Sequence, residues 1–199
     1  MHSIITIIRH APTEYNKKGI FMGTSDISIS KFDEESINSV KEKLSEQPYP
    51  FLYTSPLKRA SDTAKVIVSD NSQIIIDVRL IERCLGDWEG VSKAEVQRIH
   101  PNAFIDGKMD FYYLPKNGEH YKDMVKRVAD FIVDRCRANR RVVVVTHNGV
   151  FRVMKSLLTG EQLSNVFSEF EPHLIPQTFN VDEELLNTIE KNPFYTVDK

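Results

Sequence analysis

Cysteine is scarce in this 199-residue chain, with only Cys84 and Cys136. Neither stands near a second Cys or a His at metal-ligand spacing. That argues against a disulfide framework and leaves reduced thiols in a cytoplasmic protein as the simplest account. An excess of either charge is also missing: 26 Lys and Arg stand against 28 Asp and Glu, a formal charge of −2. There is thus no electrostatic reason to expect nucleic acid or an anionic membrane as partner, and any anion site must be local. Long hydrophobic runs are absent too. The longest near the start is Ile4 to Ile8, too short for a signal-peptide core or a membrane-spanning helix. The chain is therefore expected to be soluble and unexported. No Gly-x-Gly-x-x-Gly follows that first run, which counts against a Rossmann-type dinucleotide site. The length suits one α/β domain spanning 1–199.

What the chain does have is short β-branched runs that stop at cationic side chains. Ile4-Ile5-Thr6-Ile7-Ile8 lacks polar alternation, so it suits a strand buried on both faces, as in a parallel sheet. Arg9 and His10 then sit at its carboxyl end, where open α/β sheets bind ligands. Arg141 to Val145 repeats the design and ends at Thr146-His147. Phe51 to Ser55 and Ile74 to Ile76 read as further strands. Ser55-Pro56 is read as an N-cap and first helical residue, which puts Arg59 near free N–H groups that favour an anion.

A helix capped by Ser30 is expected to bury Ile37, Val40 and Leu44 and to end before Pro48. Ser92 to Ile99 reads as another helix, and Met124, Val125, Val128, Phe131, Ile132 and Cys136 form one apolar helical stripe. Residues 103–119 carry Phe104, Phe111, Tyr112 and Tyr113 among Gly107, Pro115 and Gly118. This insert reads equally as a lid or as a hydrophobic cluster under a surface loop. The tail, with Pro172, Pro176 and Pro193, reads as a wrapping segment with an edge strand around Gln177 to Val181.

Four stretches resemble the histidine phosphatase superfamily, which includes the cofactor-dependent phosphoglycerate mutases. Arg9-His10-Ala11-Pro12-Thr13-Glu14-Tyr15-Asn16 is similar to the family's Arg-His-Gly-Glu-Thr-x-x-Asn. Ser55, Pro56, Arg59, Ala60, Thr63 and Ala64 reproduce Ser-Pro-x-x-Arg-Ala-x-x-Thr-Ala. Leu80 to Gly90 follows Leu-x-Glu-x-x-x-Gly-x-Trp-Glu-Gly, and His147-Asn148-Gly149 stands where the family has His-Gly-Gly before a helix containing Arg.

The resemblance implies a three-layer α/β/α sandwich with a mostly parallel central sheet. It implies that His10 is the nucleophile, Glu82 the proton donor, and Arg9, Arg59 and His147 the phosphate pocket, with no metal or other cofactor. Asn16 joins that cradle, and Met22, Gly23, Thr24, Arg83 and Asn148 complete the substrate-binding candidates. Glu89 is expected to hold its loop in shape. The implied partner is a small phosphorylated metabolite, and the chain is expected to be a monomer or homodimer.

A phosphatase is the first reading and a phosphoglycerate mutase the second. Arg83 and Lys93 match positions where mutases hold the substrate carboxylate, but Trp88-Glu89 is phosphatase-like and the mutases' longer insert with paired arginines is missing. A catalytically weak phosphoryl-binding module would have lost the nucleophile or the acid, and both are kept. Ala11, Pro12 and Asn148 depart from the family's Gly, Glu and Gly, which bears on substrate choice and rate.

Overall fold

The computed structural model describes residues 2–191 apart from 31, 47 and 169. In chain order the main elements are β1 (His2–Arg9), α1 (Glu14–Lys17), α2 (Glu34–Ser45), β2 (Leu52–Thr54), α3 (Lys58–Ile67), β3 (Ile74–Ile76) and α4 (Lys93–Ile99). Then follow β4 (Phe104–Ile105), β5 (Lys108–Met109), α5 (Tyr121–Ala138), β6 (Arg141–Thr146), α6 (Asn148–Thr159), α7 (Leu163–Ser168), β7 (Gln177–Asp182) and α8 (Glu183–Glu190).

The central sheet has the order β3-β2-β6-β1-β7, with β7 antiparallel to β1 and the other neighbours parallel. Alternation along the strands explains the layers. Ile5, Ile7, Val142 and Val144 join one core with α5, α6 and α8, whereas Ile8, Val143 and Val145 join another with α2 and α3. Each such side chain contributes about 1.5–3 kcal/mol on burial. A strand apolar on both faces can be satisfied only between two helical layers, and the expected α/β/α sandwich follows. Pairing of Arg9 with Thr146 places His10 and His147 side by side at the carboxyl ends of adjacent strands.

Two helix starts differ from expectation. Helix α2 is capped by Asp33, whose side chain accepts from the amides of Glu35 and Ser36. Ser30 lies too far before Glu34 to cap the helix, and its amide and hydroxyl both donate to the Pro12 carbonyl. Helix α3 begins at Lys58, with Leu57 as N-cap and no side-chain cap of its own. Ser55 Oγ instead accepts from the Leu57 amide and faces His147, and Asp26 Oδ1 accepts from the Lys58 amide at 2.7 Å. Ser92 does cap α4, through the Glu95 amide.

The edge strand appears as β7, but α7 and α8 were not expected; Pro193 lies outside the described residues. Within residues 103–119 the structure shows the hydrophobic cluster, and part of the segment also lines the cavity described below. The β4–β5 hairpin turns at Asp106 (φ 49°) and Gly107 (φ 74°), the two-residue turn that matches strand twist. Phe104, Met109 and Tyr113 pack on a small core of Phe21, Leu85, Trp88, Val96 and Ala103, while the hairpin's inner edge walls the cavity described below. Among the described residues no helix is long and apolar enough to cross a membrane.

Candidate active site

His10 is 2% exposed, and its Nδ1 lies 2.7 Å from the Ala11 carbonyl oxygen. A carbonyl only accepts, so Nδ1 carries the proton and Nε2 the lone pair. Burial first, then the positive charges of Arg59 and Arg9, hold the imidazole pKa well below its ordinary value, so the ring is neutral at pH 7. The Ala11 amide donates to Thr63 Oγ1 at 2.9 Å, which fixes the turn after β1 from helix α3.

Arg9 Nη1 donates to the Glu171 carbonyl at 2.6 Å, and the guanidinium lies 4.5 Å from the centroid of the Phe170 ring. Burial lowers its pKa to about 9; Glu82 opposes the shift, and Arg152 and Arg59 add to it. It therefore stays charged at neutral pH. Its Nε is buried with no hydrogen-bond partner among the described residues. An unmatched buried cationic donor is costly, and an anion relieves the cost.

Arg59 is anchored three times. Its Nη1 and Nη2 donate to the carbonyls of Ser25 and Gly23, both at 2.7 Å, and its Nε donates to His147 Nδ1 at 3.1 Å. A nitrogen that accepts from guanidinium cannot also carry a proton, so the neutral His147 ring holds its proton on Nε2 and donates it to Ser55 Oγ at 2.7 Å. Burial, then Arg59 and His10, keep the His147 pKa well below its usual value. The rings of His10 and His147 are 5.3 Å apart, but His147 lies behind Arg59 and is not part of the cavity wall.

Glu82 lines the cavity and accepts from two amides, Arg83 N to Oε1 at 2.8 Å and Gly149 N to Oε2 at 2.9 Å. Two predicted substrate ligands face other work. Arg83 is 4% exposed, and its guanidinium donates to the carbonyls of Phe111, Tyr113 and Glu119 at 2.6, 2.7 and 3.0 Å. Thr24 gives its amide and hydroxyl to Glu89 Oε1 and does not line the cavity. Glu89 also accepts from the Leu85 amide and the Ser25 hydroxyl, so it ties the loop together as expected.

Arg83 nevertheless lines the cavity, as do the remaining candidates, Asn16, Met22, Gly23 and Asn148. Asn16 Oδ1 accepts from Thr13, which leaves its side-chain NH2 as its donor toward an anion. The cavity measures about 410 Å³ and also takes in Lys93, Arg152, Phe167 and Phe170. Burial and the charges of Arg9 and Arg152 lower the Lys93 pKa, and Lys108 lines the cavity too.

Sequence reasoning missed the segment 170–174. Besides the contacts of Phe170 and Glu171 with Arg9, His173 Nδ1 lies 2.5 Å from the His10 carbonyl, and Leu174 N donates to the Arg9 carbonyl. The segment thus backs both residues of the first motif. Its only signal in the sequence is Pro172 within it and Pro176 just after it.

Comparison with known proteins identifies the family. Residues 5–173 match the sequence model of the histidine phosphatase superfamily (branch 1). A glucosyl-3-phosphoglycerate phosphatase of Mycolicibacterium vanbaalenii is 29% identical over 171 residues, 81% of this chain and 76% of the relative. Phosphoserine phosphatase 1 of Hydrogenobacter thermophilus is 30% identical over 172 residues, 82% of this chain and 80% of the relative. Among solved structures, Bacillus stearothermophilus YhfR superposes with a TM-score of 0.78 at 25% identity, over 91% of this chain and 92% of that one. The chain belongs to the histidine phosphatase superfamily.

Proposed function

We propose that this protein is a phosphatase that hydrolyses a small phosphomonoester through a phosphohistidine on His10. The observation that carries the reading is the bond of His10 Nδ1 to the Ala11 carbonyl, which leaves a neutral Nε2 as nucleophile between two arginines. Arg9 and Arg59 hold the nonbridging oxygens of the phosphoryl group, as guanidinium donors suit phosphate geometry. Nε2 attacks phosphorus in line, and the bond to the leaving oxygen breaks. Glu82, in its protonated form, gives that oxygen a proton; as carboxylate it then takes one from the water that attacks the phosphohistidine. The two amides on Glu82 occupy one lone pair on each oxygen and leave another on each for this exchange. His147 positions Arg59 and supports the cradle from behind.

In this reading residues 1–199 act as one domain, with 103–119 as a cover over the site. The enzyme works in the cytoplasm without a metal, because guanidinium groups carry the charge that Mg²⁺ supplies in other phosphoryl-transfer sites. The alternative is a phosphoglycerate mutase, for which Arg83 and Lys93 at the cavity wall would hold the substrate carboxylate; the phosphatase-like Trp88-Glu89 and the missing longer insert favour the phosphatase.

Two experiments test the proposal. Two in-line displacements retain configuration at phosphorus, so a chiral phosphorothioate ester hydrolysed in isotopic water is expected to give retention. Inversion would mean direct attack by water. Incubation with 3-phosphoglycerate, with and without its bisphosphate primer, is expected to release phosphate without isomerisation; primed isomerisation would establish the mutase.

A further inference from the structure

Besides its cations, the wall of the cavity carries Phe21, Phe104, Met109, Phe111, Phe167 and Phe170. Its volume of about 410 Å³ falls in the range that takes a whole small-molecule ligand, so most of it is available to the alcohol half of an ester. Resting on the phosphatase reading above, we infer that this chamber selects phosphomonoesters whose alcohol half carries a flat apolar ring.

Three observations support this. First, Phe111 lines the cavity packed at 3.7 Å between centroids on Phe167. Arg83 beside it, which lines the cavity as well, lies 5.4 Å from the Phe111 ring centroid and is bonded to the carbonyls of Phe111, Tyr113 and Glu119. Second, Phe104 packs on Trp88 at 6.3 Å between centroids and Phe21 on the same ring at 5.8 Å, so two aromatic side chains of the wall are held in place from behind. Third, Phe170 is 64% exposed and yet held over the Arg9 guanidinium at the cavity wall. An aromatic face left open at that point is a platform for a second ring, since offset ring pairs attract beyond their area alone.

Phosphonates test this by binding alone, without turnover. Titration calorimetry with 3-phenylpropylphosphonate, propylphosphonate and 3-phosphonopropionate holds the headgroup nearly constant and varies the tail. A buried ring is expected to tighten binding by at least about tenfold over the propyl compound and to make the ring compound the tightest of the three. Phe170→Ala and Phe104→Ala are each expected to cut the ring's advantage at least threefold, with unchanged circular dichroism. The advantage is a ratio, so any loss common to the phosphate seat cancels. A carboxylate compound that binds tightest, a ring that gains nothing, or variants that keep the full advantage would each overturn the inference. A ring preference in a protein that hydrolyses no phosphomonoester would instead remove the phosphatase reading and leave the chamber standing.

Discussion

The amide of Gly149 donates to Glu82 Oε2 at 2.9 Å, and a Cβ on Gly149 would lie 2.5 Å from Glu82 Oε1 and 3.1 Å from Met124 Cε. The turn after the second buried strand therefore fits against the proposed acid with no room for a methyl group. Gly149→Ala is expected to lower kcat by roughly tenfold to 10²-fold, the scale of a displacement near 1 Å at a catalytic group. Alanine also raises helix propensity by up to about 1 kcal/mol over glycine at such a position. Activity should therefore fall far more than the melting temperature; a variant that unfolds while its folded fraction stays fully active would show that the contact is structural only.

If Glu82 protonates the leaving oxygen, Glu82→Gln should slow esters with poor alkoxide leaving groups by roughly 10²-fold or more. A nitrophenolate needs little protonation. In the pre-steady state the variant is expected to lose much less in phosphorylating itself from p-nitrophenyl phosphate than from an alkyl phosphate. Equal losses would assign Glu82 to shaping the cavity.

Stability should fall in mild acid. Burial and the charge of Arg9 lower the His173 pKa to about 4, and His10 and His147 also stand well below 6.5. The unfolded chain, with histidines near 6.5, binds protons first, so the stabilising contribution is complete above about pH 6.5 and is lost as pH falls toward 4. Urea unfolding at stepped pH is expected to show this decline, and His173→Asn is expected to reduce its slope. A flat profile between pH 7 and 4.5 would contradict the burial of these rings.

Much of the site was legible because its signals are local. A β-branched run ending in Arg9-His10, and another ending in His147, specify strand ends by composition alone, and the motif from Ser55 to Ala64 lies on one short segment. What was not legible depends on partners far along the chain. Arg83 looks like a free cation until its carbonyl partners, 28 to 36 residues away, close on it. Thr24 turns from the site because Glu89, 65 residues later, accepts its amide. Ser55 is a good cap in isolation, yet its hydroxyl meets His147, 92 residues on, and Asp26 caps the helix from a separate loop. Phe170 gave no periodic or motif signal at all.

Six cationic side chains, Arg9, Arg59, Arg83, Lys93, Lys108 and Arg152, line the cavity. EDTA is accordingly expected to leave the rate unchanged. Loss of activity that Mg²⁺ or Zn²⁺ restores would show that a metal supplies charge the side chains do not.

The central claim is covalent and has a positional signature. Because the Ala11 carbonyl accepts from Nδ1, phosphate must reside on Nε2 of His10. Rapid quench of labelled substrate under alkaline conditions, followed by phosphorus NMR of the trapped protein, is expected to give an alkali-stable, acid-labile phosphohistidine substituted at Nε2 and absent from His10→Ala. Phosphate on Nδ1, label that survives in His10→Ala, or turnover with no covalent phosphate would contradict the account.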